Sequence, residues 1–353
     1  MRQRIALCAS RDGTKIAHAR HGSGPPLVKV GHWLTHIERD WTSPVWRPQL
    51  GALGERFTVI RYDNRDTGLS DRDVERVSLV AWVEDLEAVV EAAGVQRFPL
   101  LGMNQGGLIA IAYAALHPER VTALVLLGTS AVGWNRRAPE RRPETQAMAT
   151  LMRCSWGEAN AAVQHLWAAR LMPTGTAEQA RWLVEMQRVS ASATAAVRSY
   201  LTCSELDLTA QARAIRVPTL VMHARGDSMI PFDAGRELSA LVDGAHFVPL
   251  DSQNHLLRTD EPAWTQFLGE LDIFLGRVAP EPLRLCSLTR REHEMAELMA
   301  AGLDNSVIAE QLKISPKTVR NHVTHIFDKL GVGSRSQAIV MAREAGLGLR
   351  TRP

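Results

Sequence analysis

The sequence predicts a two-domain protein: an α/β domain with a helical insertion, followed by a small all-α domain of four helices. With 353 residues, the chain is longer than one hydrophobic core usually accommodates. Short apolar runs alternate with helical stretches in the first part of the chain, whereas only helical patterns follow Leu288. We therefore predict an α/β domain over 1–277 with its insertion at about 134–212, a linker with two prolines over 278–287, and a helical domain over 288–353.

The predicted sheet consists of short runs rich in apolar and β-branched residues. These runs are 14–20, 26–30, 57–63, 98–103, 121–127, 218–224 and 246–250. Helical patterns follow several of them, at 78–93, 106–117 and about 262–276. Strands that alternate with helices in this way form mostly parallel sheets with helices on both faces.

The insertion at 134–212 interrupts this alternation. It is helix-prone, rich in Ala and Arg, and contains Trp134, Trp156, Trp167 and Trp182. Helices inserted here would lie over the sheet and could form the roof of a pocket. Each of these tryptophans could line that pocket or fill the core between the inserted helices, and the sequence leaves both alternatives open.

Composition and cysteine spacing exclude several classes of protein. Apolar residues make up 45% of the chain and charged residues 22%, which is typical of globular domains rather than disordered ones. No apolar run reaches the roughly eighteen residues of a transmembrane helix, and the first residues contain no apolar stretch long enough for a signal peptide. The four cysteines lack the spacing of disulfide or metal sites. We expect a cytoplasmic protein with no cofactor, metal or membrane contact.

The net charge of +3 is concentrated near the end of the chain. Residues 285–353 carry ten Lys or Arg residues against seven Asp or Glu residues, whereas residues 1–284 carry equal numbers. A surplus of this size could arise by chance. Its position nevertheless indicates where a polyanion would bind.

A strand, a sharp turn and a helix are predicted around the segment FPLLGMNQGGLIAIAYA. Gly102 and Gly106 lie two positions either side of Asn104 in this turn. Small residues at those positions permit a strained bend, and Asn tolerates a positive φ better than most side chains. Farther along, Asp227 follows one predicted strand and His255 follows the next.

This layout resembles that of the α/β-hydrolases, from end to end of the first predicted domain. The family places a nucleophilic serine at the centre of G-x-S-x-G, followed in chain order by an acid and a histidine. The resemblance assigns these three positions to Asn104, Asp227 and His255. It also implies that the backbone N–H groups of Gln105 and Trp33 line the oxyanion site. We predict that Trp33, Asn104, Gln105 and His255 bind a ligand.

The presence of Asn104 at the serine position changes the expected chemistry. A serine hydroxyl becomes a nucleophile when a histidine removes its proton, but a carboxamide has no comparable nucleophile and offers only hydrogen bonds. We therefore expect a degenerate triad that binds without turnover. Three alternatives stay open. Asp227 and His255 could be a structural remnant, His255 could act as a base on water or substrate, or Asn104 could be the precursor of an Asp nucleophile, although deamidation before Gln105 is expected to be slow.

The second predicted domain has clear helix boundaries. Asp304 is placed to cap a short helix over 305–312, and a three-residue turn follows that helix. The third helix has Ser315 as its expected N-cap and Pro316 at its first position. The pattern indicates a helix-turn-helix.

The third helix has two distinct faces. Its apolar face consists of Val319, Val323, Ile326, Phe327 and Leu330. The opposite face carries Lys317, Arg320, Asn321 and Thr324. Cationic, amide and hydroxyl groups on one face suit base edges and phosphates in a major groove. Spacing alone leaves an ordinary solvated face as the alternative.

Four motifs of the second domain resemble the LuxR-type DNA-binding domain over about sixty residues. They are L-T-x-R-E-x-E, A-x-G-x-x-N-x-x-I-A, I-S-x-x-T-V-R-x-H and K-L-G-V, running from Leu288 to Val332. The resemblance implies contacts to bases from Arg320, Asn321 and Thr324. It implies contacts to the phosphate backbone from Ser315, Lys317, Thr318 and Lys329. The last helix, around 337–345, would pair two copies on palindromic double-stranded DNA, so we expect a homodimer.

These observations predict a one-component transcription regulator. We expect a small organic effector to bind in the hydrolase-like pocket and to shift the dimer between states that differ in DNA binding. Trp33, Trp41 and the tryptophans of the insertion favour an apolar or aromatic effector over a highly charged one. Two other functions stay open: an enzyme tethered to DNA, and a dimerisation or protein-docking body that binds no ligand.

Overall fold

The computed structural model describes most of the chain in two compact units that divide after Leu271. The described residues are 2–157, 162–278, 288–330, 332–344 and 347–348. Residues 279–287, which make up nearly all of the predicted linker, and Ala345 in the last predicted helix lie outside them. None of the described helices is both long and apolar enough to cross a membrane.

The first unit is built on an eight-stranded sheet. Its strands are β1 (Arg4–Ala9), β2 (Lys15–Gly22), β3 (Pro26–Lys29), β4 (Thr58–Tyr62), β5 (Phe98–Met103), β6 (Val121–Leu127), β7 (Thr219–Ala224) and β8 (His246–Leu250). They lie in the order β1-β2-β4-β3-β5-β6-β7-β8. The β1–β2 and β2–β4 pairs are antiparallel and the other pairs are parallel. The predicted, mostly parallel sheet is confirmed.

The first strand of the sheet was not among the predicted ones. β1 lies at the edge of the sheet and has no buried face, so it lacks the in-and-out alternation that marks a half-buried strand. Ile5 and Leu7 are 41% and 60% exposed. Its pairing with β2 adds an antiparallel edge to the parallel centre of the sheet.

Twelve α-helices are described in or beginning in the first unit. They are α1 (Ile37–Asp40), α2 (Trp46–Gly54), α3 (Leu79–Ala92), α4 (Gln105–Leu116), α5 (Trp134–Arg137), α6 (Arg142–Ser155), α7 (Ala162–Leu171), α8 (Ala177–Ser190), α9 (Ala193–Ser204), α10 (Thr209–Ala214), α11 (Phe232–Leu241) and α12 (Pro262–Val278). The predicted helices at 78–93, 106–117 and 262–276 correspond to α3, α4 and α12. Helix α4 is apolar on nearly all sides because it is buried in the main core beside the sheet.

Helices α5 to α9 form the insertion, and several of them share a small core of their own. Ala149, Met152, Val163, Trp167 and Ala196 are buried together there. The chain is back in the main core at Cys203 near the end of α9, and Leu208 and Ala212 are buried there as well. The last part of the predicted insertion therefore packs in the main core.

From residue 288 onward, the described residues of the second unit form four helices around an apolar core. They are α13 (Arg290–Ala300), α14 (Asn305–Leu312), α15 (Pro316–Leu330) and α16 (Arg335–Glu344). The Asp304 side chain accepts hydrogen bonds from two backbone N–H groups at the start of α14. Ser315 Oγ accepts one from the N–H of Thr318 at 3.1 Å. These contacts cap the helices and satisfy donors that a helix cannot pair internally.

Candidate functional site

Asn104 lies in the sharp turn between β5 and α4, with φ +51°. Its backbone carbonyl accepts a hydrogen bond from Thr129 Oγ1 at 2.9 Å, which holds the turn against the end of β6. The close packing depends on small neighbours, because a Cβ atom at Gly102 would lie 2.7 Å from the Cβ of Ala110. The turn thus presents the Asn104 side chain beyond the carboxyl end of β5.

Both ends of the Asn104 amide are hydrogen-bonded. Oδ1 accepts from the backbone N–H of Gln105 at 2.7 Å. Nδ2 donates to His255 Nε2 at 2.8 Å, and His255 Nδ1 donates to Asp227 Oδ2 at 2.7 Å. Since the amide nitrogen can only donate, His255 Nε2 is the acceptor in this contact, and Nδ1 carries the proton that points at Asp227. The structure therefore brings Asn104, His255 and Asp227 into one hydrogen-bonded chain.

Asp227 is the negative charge at the far end of this chain. Burial by itself would raise the pKa of the Asp227 carboxyl. The attraction that His255 exerts when its ring is protonated, together with hydrogen bonds from the two histidine rings and from the N–H of Ile230, outweighs that effect and holds the pKa well below its usual range. Asp227 therefore stays ionised and orients the His255 ring.

A second histidine, His223, was missed by the sequence analysis. Its side chain is fully buried on β7, with Nε2 3.4 Å from Asp227 Oδ2 and 3.0 Å from the carbonyl of Ile230. His223 precedes Asp227 by four residues, but it lies inside an ordinary apolar strand pattern. Nothing in that pattern distinguishes it from a core residue.

The predicted oxyanion donor at Gln105 already has an acceptor. Its backbone N–H points at Asn104 Oδ1, so the carboxamide uses the donor that a developing oxyanion would need. The Gln105 side chain is bonded in turn, because Ser199 Oγ donates to its Oε1 at 2.9 Å. This bond connects helix α9 of the insertion directly to the turn at Asn104.

Two cavities meet at Asn104 and Trp33. The larger, of about 400 Å³, lies between the turn and the inserted helices, and its wall includes Gln105, Trp167 and Tyr200. The smaller, of about 50 Å³, lies on the side of His255. All four predicted ligand-binding residues therefore border cavity surface, with Trp33 and Asn104 common to both cavities.

The tryptophans of the insertion divide between pocket and core. Trp134 and Trp167 line the larger cavity and Trp182 lines the smaller one. Trp156 packs in the core of the insertion, where its Nε1 donates to the carbonyl of Ala191 at 3.0 Å. Trp41 borders neither cavity, since its ring packs against His21 and Arg47 instead. It gives no support to the expectation of an aromatic effector.

The predicted DNA-binding residues lie mainly on exposed parts of the second unit. Ser315, Lys317, Arg320, Asn321, Thr324 and Lys329 are exposed, and Thr318 is half-buried. The opposite face of α15 is buried through Val319, Val323, Ile326 and Leu330.

Lys329 differs from the other predicted phosphate contacts because it already has an anionic partner. Its Nζ lies 2.6 Å from Oε2 of Glu292, a carboxylate that is almost fully buried. Glu292 also accepts from the N–H of Thr289 at the start of α13. Lys329 therefore joins α15 to α13, and a phosphate would have to share or replace this contact.

No group of three or more His, Cys, Asp or Glu side chains in the described ranges is placed to hold a metal ion. Cys8, Cys154 and Cys203 are free thiols, and Cys286 lies outside those ranges.

Comparisons with known proteins agree with this architecture. The profile of the alpha/beta hydrolase fold family matches residues 34–260, and that of the bacterial regulatory proteins of the luxR family matches 286–342. A putative carbamate hydrolase, RutD, of Azorhizobium caulinodans is 28% identical over 71% of this chain and 94% of its own length. The AB hydrolase superfamily protein YisY of Bacillus subtilis is 27% identical over 66% of this chain and 86% of its own.

A solved structure shows the same fold. An esterase from Exiguobacterium antarcticum superposes with a TM-score of 0.65 at 22% identity, covering 78% of this chain and 99% of its own. The relatives thus match the hydrolase-like part, and the luxR-family profile matches the remaining helical part.

Proposed function

Since the chain belongs to the α/β hydrolase fold family and carries a LuxR-type DNA-binding domain, we propose that it is a one-component, sequence-specific transcription regulator. In this proposal the hydrolase-like domain binds a small organic effector without turning it over. Effector binding shifts a homodimer between states with different affinity for a palindromic site on double-stranded DNA. Such a regulator would work in the cytoplasm.

The observation that carries the proposal is the hydrogen bonding of Asn104. At the nucleophile position stands an amide that uses the Gln105 N–H through Oδ1 and His255 Nε2 through Nδ2. A serine route needs both groups for other purposes: the histidine to remove the hydroxyl proton, and the N–H to stabilise the oxyanion. The cavity, however, still opens at this point. A pocket with occupied catalytic groups supports binding rather than hydrolysis.

An enzyme tethered to DNA is the second candidate. The contact between His255 and Asp227 at 2.7 Å has the geometry of an intact histidine–acid pair, and the relatives include a putative carbamate hydrolase and an esterase. His255 could act as a base on water or on a substrate directly.

Ester turnover by four proteins separates the two candidates. We would compare the native chain, Asn104→Ser, His255→Ala, and the double variant on a p-nitrophenyl ester. We expect an inert native chain and an Asn104→Ser protein that gains turnover of about 100-fold or more over background, because general-base catalysis contributes about that much. The gain should disappear when His255 is also replaced.

The opposite result identifies an enzyme. If the native chain hydrolyses the ester and loses this activity in His255→Ala, the binding-only function is wrong. Circular dichroism of each variant shows whether loss of turnover reflects loss of the fold.

A further inference from the structure

We infer that the effector is a monocarboxylate with an aromatic or apolar body, bound in the larger cavity with its carboxylate at Arg137. This inference rests on the proposed function, since it names the chemical class that the sensing pocket would accept. The charged side chains and aromatic rings of the cavity wall support it. These residues are not part of the motifs that carry the resemblance to the hydrolase family.

Arg137 is a half-buried cation that has no close anionic partner among the described residues. It ends helix α5 and lines the larger cavity. No carboxylate of the described residues lies within 4.0 Å of its guanidinium, and its Nη1 is buried without a hydrogen-bond partner. Burial lowers the pKa of Arg137, and Glu237 attracts it only from a distance. A cation taken partly out of water in this way gains from an anion that supplies both charge and acceptors.

The other charges of the wall leave this cation uncompensated. Arg170 donates to the backbone carbonyl of Ser228 at 2.6 Å and makes no ion pair within the described part of the chain. Arg141 does have a carboxylate partner in Glu144, at 2.6 Å, but both side chains are exposed. The wall therefore contains three arginines and one glutamate, and the half-buried charges among them are positive. One carboxylate is the simplest group that would balance Arg137.

A run of aromatic rings leads from this cation toward Asn104. Trp134, three residues before Arg137, lies with its ring centroid 4.8 Å from that of Tyr200. Tyr200 is 5.6 Å from Trp167, which is 5.2 Å from Trp33 beside Asn104. These four rings form an apolar surface between Arg137 at one end of the cavity and Asn104 at the other. Flat apolar or aromatic ligands pack well on such a surface.

The dimensions and polarity of the site fit this class of ligand. A cavity of about 400 Å³ is within the range of small-molecule sites, which are mostly apolar with a few placed polar groups. Trp33 and Trp167 each have an indole N–H without a partner in the described protein, and neither indole can accept a hydrogen bond. Among the described residues, the buried side-chain atoms of the wall that lack a partner are these two indole nitrogens and Arg137 Nη1, and all three are donors. They favour a ligand rich in acceptors over a cationic one.

The test compares acids with their neutral amides in the full-length protein. The probes are benzoate, phenylacetate, cinnamate and 1-naphthylacetate, each paired with the corresponding amide. Titration calorimetry gives the dissociation constants for native protein, Arg137→Gln and Arg136→Gln. Arg136 is the matched control, because it precedes Arg137 on the same helix but is exposed, pairs with Glu205 and does not line the cavity.

At least one acid should bind the native protein more tightly than its amide, by on the order of tenfold or more, because a charge-assisted hydrogen bond is stronger than a neutral one. Arg137→Gln should abolish this preference, and Arg136→Gln should keep it. Equal binding of acids and amides, or a preference that survives in Arg137→Gln, would overturn the carboxylate assignment while leaving a sensing pocket. If no probe of either kind binds at millimolar concentration, both the assignment and the effector-binding function are wrong.

Discussion

A single amide group sets the chemistry of the hydrolase-like pocket. Asn104 keeps the positive φ of the turn, which Asn accepts more readily than most residues, and places its carboxamide between Gln105 and His255. The amide oxygen and the amide nitrogen each form one hydrogen bond. The backbone geometry of a hydrolase turn is therefore preserved while the groups that would act on a substrate are bonded to one another.

His21 makes the stability of the first unit dependent on pH. Burial, together with the positive charge of Arg61, lowers the pKa of His21 to about 4 from an ordinary value of 6.5. Its Nε2 donates to the carbonyl of Leu50 at 3.1 Å, and its Nδ1 is buried without a partner. Between pH 6.5 and 4 the unfolded chain therefore binds a proton that the folded chain does not. The free energy of unfolding falls as the pH falls through this window.

We expect His21→Gln to reduce this acid sensitivity. Glutamine keeps a donor for the carbonyl of Leu50 but cannot take up the proton. Between pH 7 and 4.5 the free energy of unfolding should therefore fall by about 2 kcal/mol less in the variant than in the native protein. Urea unfolding followed by tryptophan fluorescence measures the loss. The control is His246→Gln, at an exposed position of β8. Equal acid losses in native protein and His21→Gln would show that other groups cause them.

Arg320 and Lys317 are predicted to play different roles on DNA. Arg320→Ala should cost about 1–3 kcal/mol and relax specificity at one base position, because an arginine can contact guanine in bidentate fashion. Lys317→Ala should weaken binding to all sequences and flatten the salt dependence, because a phosphate contact releases counterions without regard to sequence. Binding isotherms on DNA selected from a random pool, at several salt concentrations, separate the two. Unchanged affinity and specificity in Arg320→Ala would contradict the base contact.

At the scale of elements, the helices of the second unit owe their boundaries to local side chains. Thr289 and Glu292 form a reciprocal capping box at the start of α13. Lys313 adopts a left-handed conformation at the end of α14, and this closes the turn before α15. Such features depend on residues within four positions of one another. They can therefore be recognised in the sequence.

Asp304→Ala tests how much one of these caps contributes. Its Oδ1 accepts from the N–H groups of Ser306 and Val307 at 2.9 and 3.0 Å, and the loss of such a cap typically costs about 1 kcal/mol. We expect a lower midpoint for the calorimetric transition of the second unit. Tryptophan fluorescence should not change, because all nine tryptophans precede residue 265.

Asp328→Ala is the matched control for this cap, since Asp328 is an exposed residue inside α15 rather than at its start. Equal effects of the two substitutions would mean that the Asp304 cap makes no special contribution.

At the scale of the whole molecule, regulation requires coupling between the cavity of the first unit and DNA binding by the second. To change DNA occupancy appreciably, the effector must favour one state of the protein by a few kcal/mol. Such coupling is reciprocal: whatever factor the effector applies to DNA affinity, DNA applies to effector affinity.

Reciprocity gives a quantitative prediction. Titration of a bound acid, followed by tryptophan fluorescence, yields its dissociation constant with and without saturating selected DNA. The ratio should equal the ratio of DNA dissociation constants with and without saturating acid. A ratio of one in both experiments would mean that the pocket and the DNA-binding domain act independently. The large domain would then not be a sensor for this DNA-binding domain.

The sequence by itself determined the two-domain order, seven of the eight strands and the helix boundaries of the second unit. Turn glycines, caps and apolar periodicity act over a few residues, so they could be recognised in the sequence. The resemblance to the α/β-hydrolases then assigned Asn104, Asp227 and His255 to the three positions of the family's catalytic order. Only the tertiary structure decided the rest. It placed His223 beside Asp227, Ser199 on Gln105, and Glu292 on Lys329.

The wall of the larger cavity is the clearest example of a feature that only the tertiary structure decided. Arg137, Trp167 and Tyr200 come from three helices, and no local pattern marks them as one surface. Nor does the sequence show that Asn104 bonds to both Gln105 and His255, since the second partner lies 151 positions away. Contacts between distant segments depend on how helices and strands pack against one another. Local periodicity and turn residues extend over only a few positions, so they do not show which distant segments come into contact.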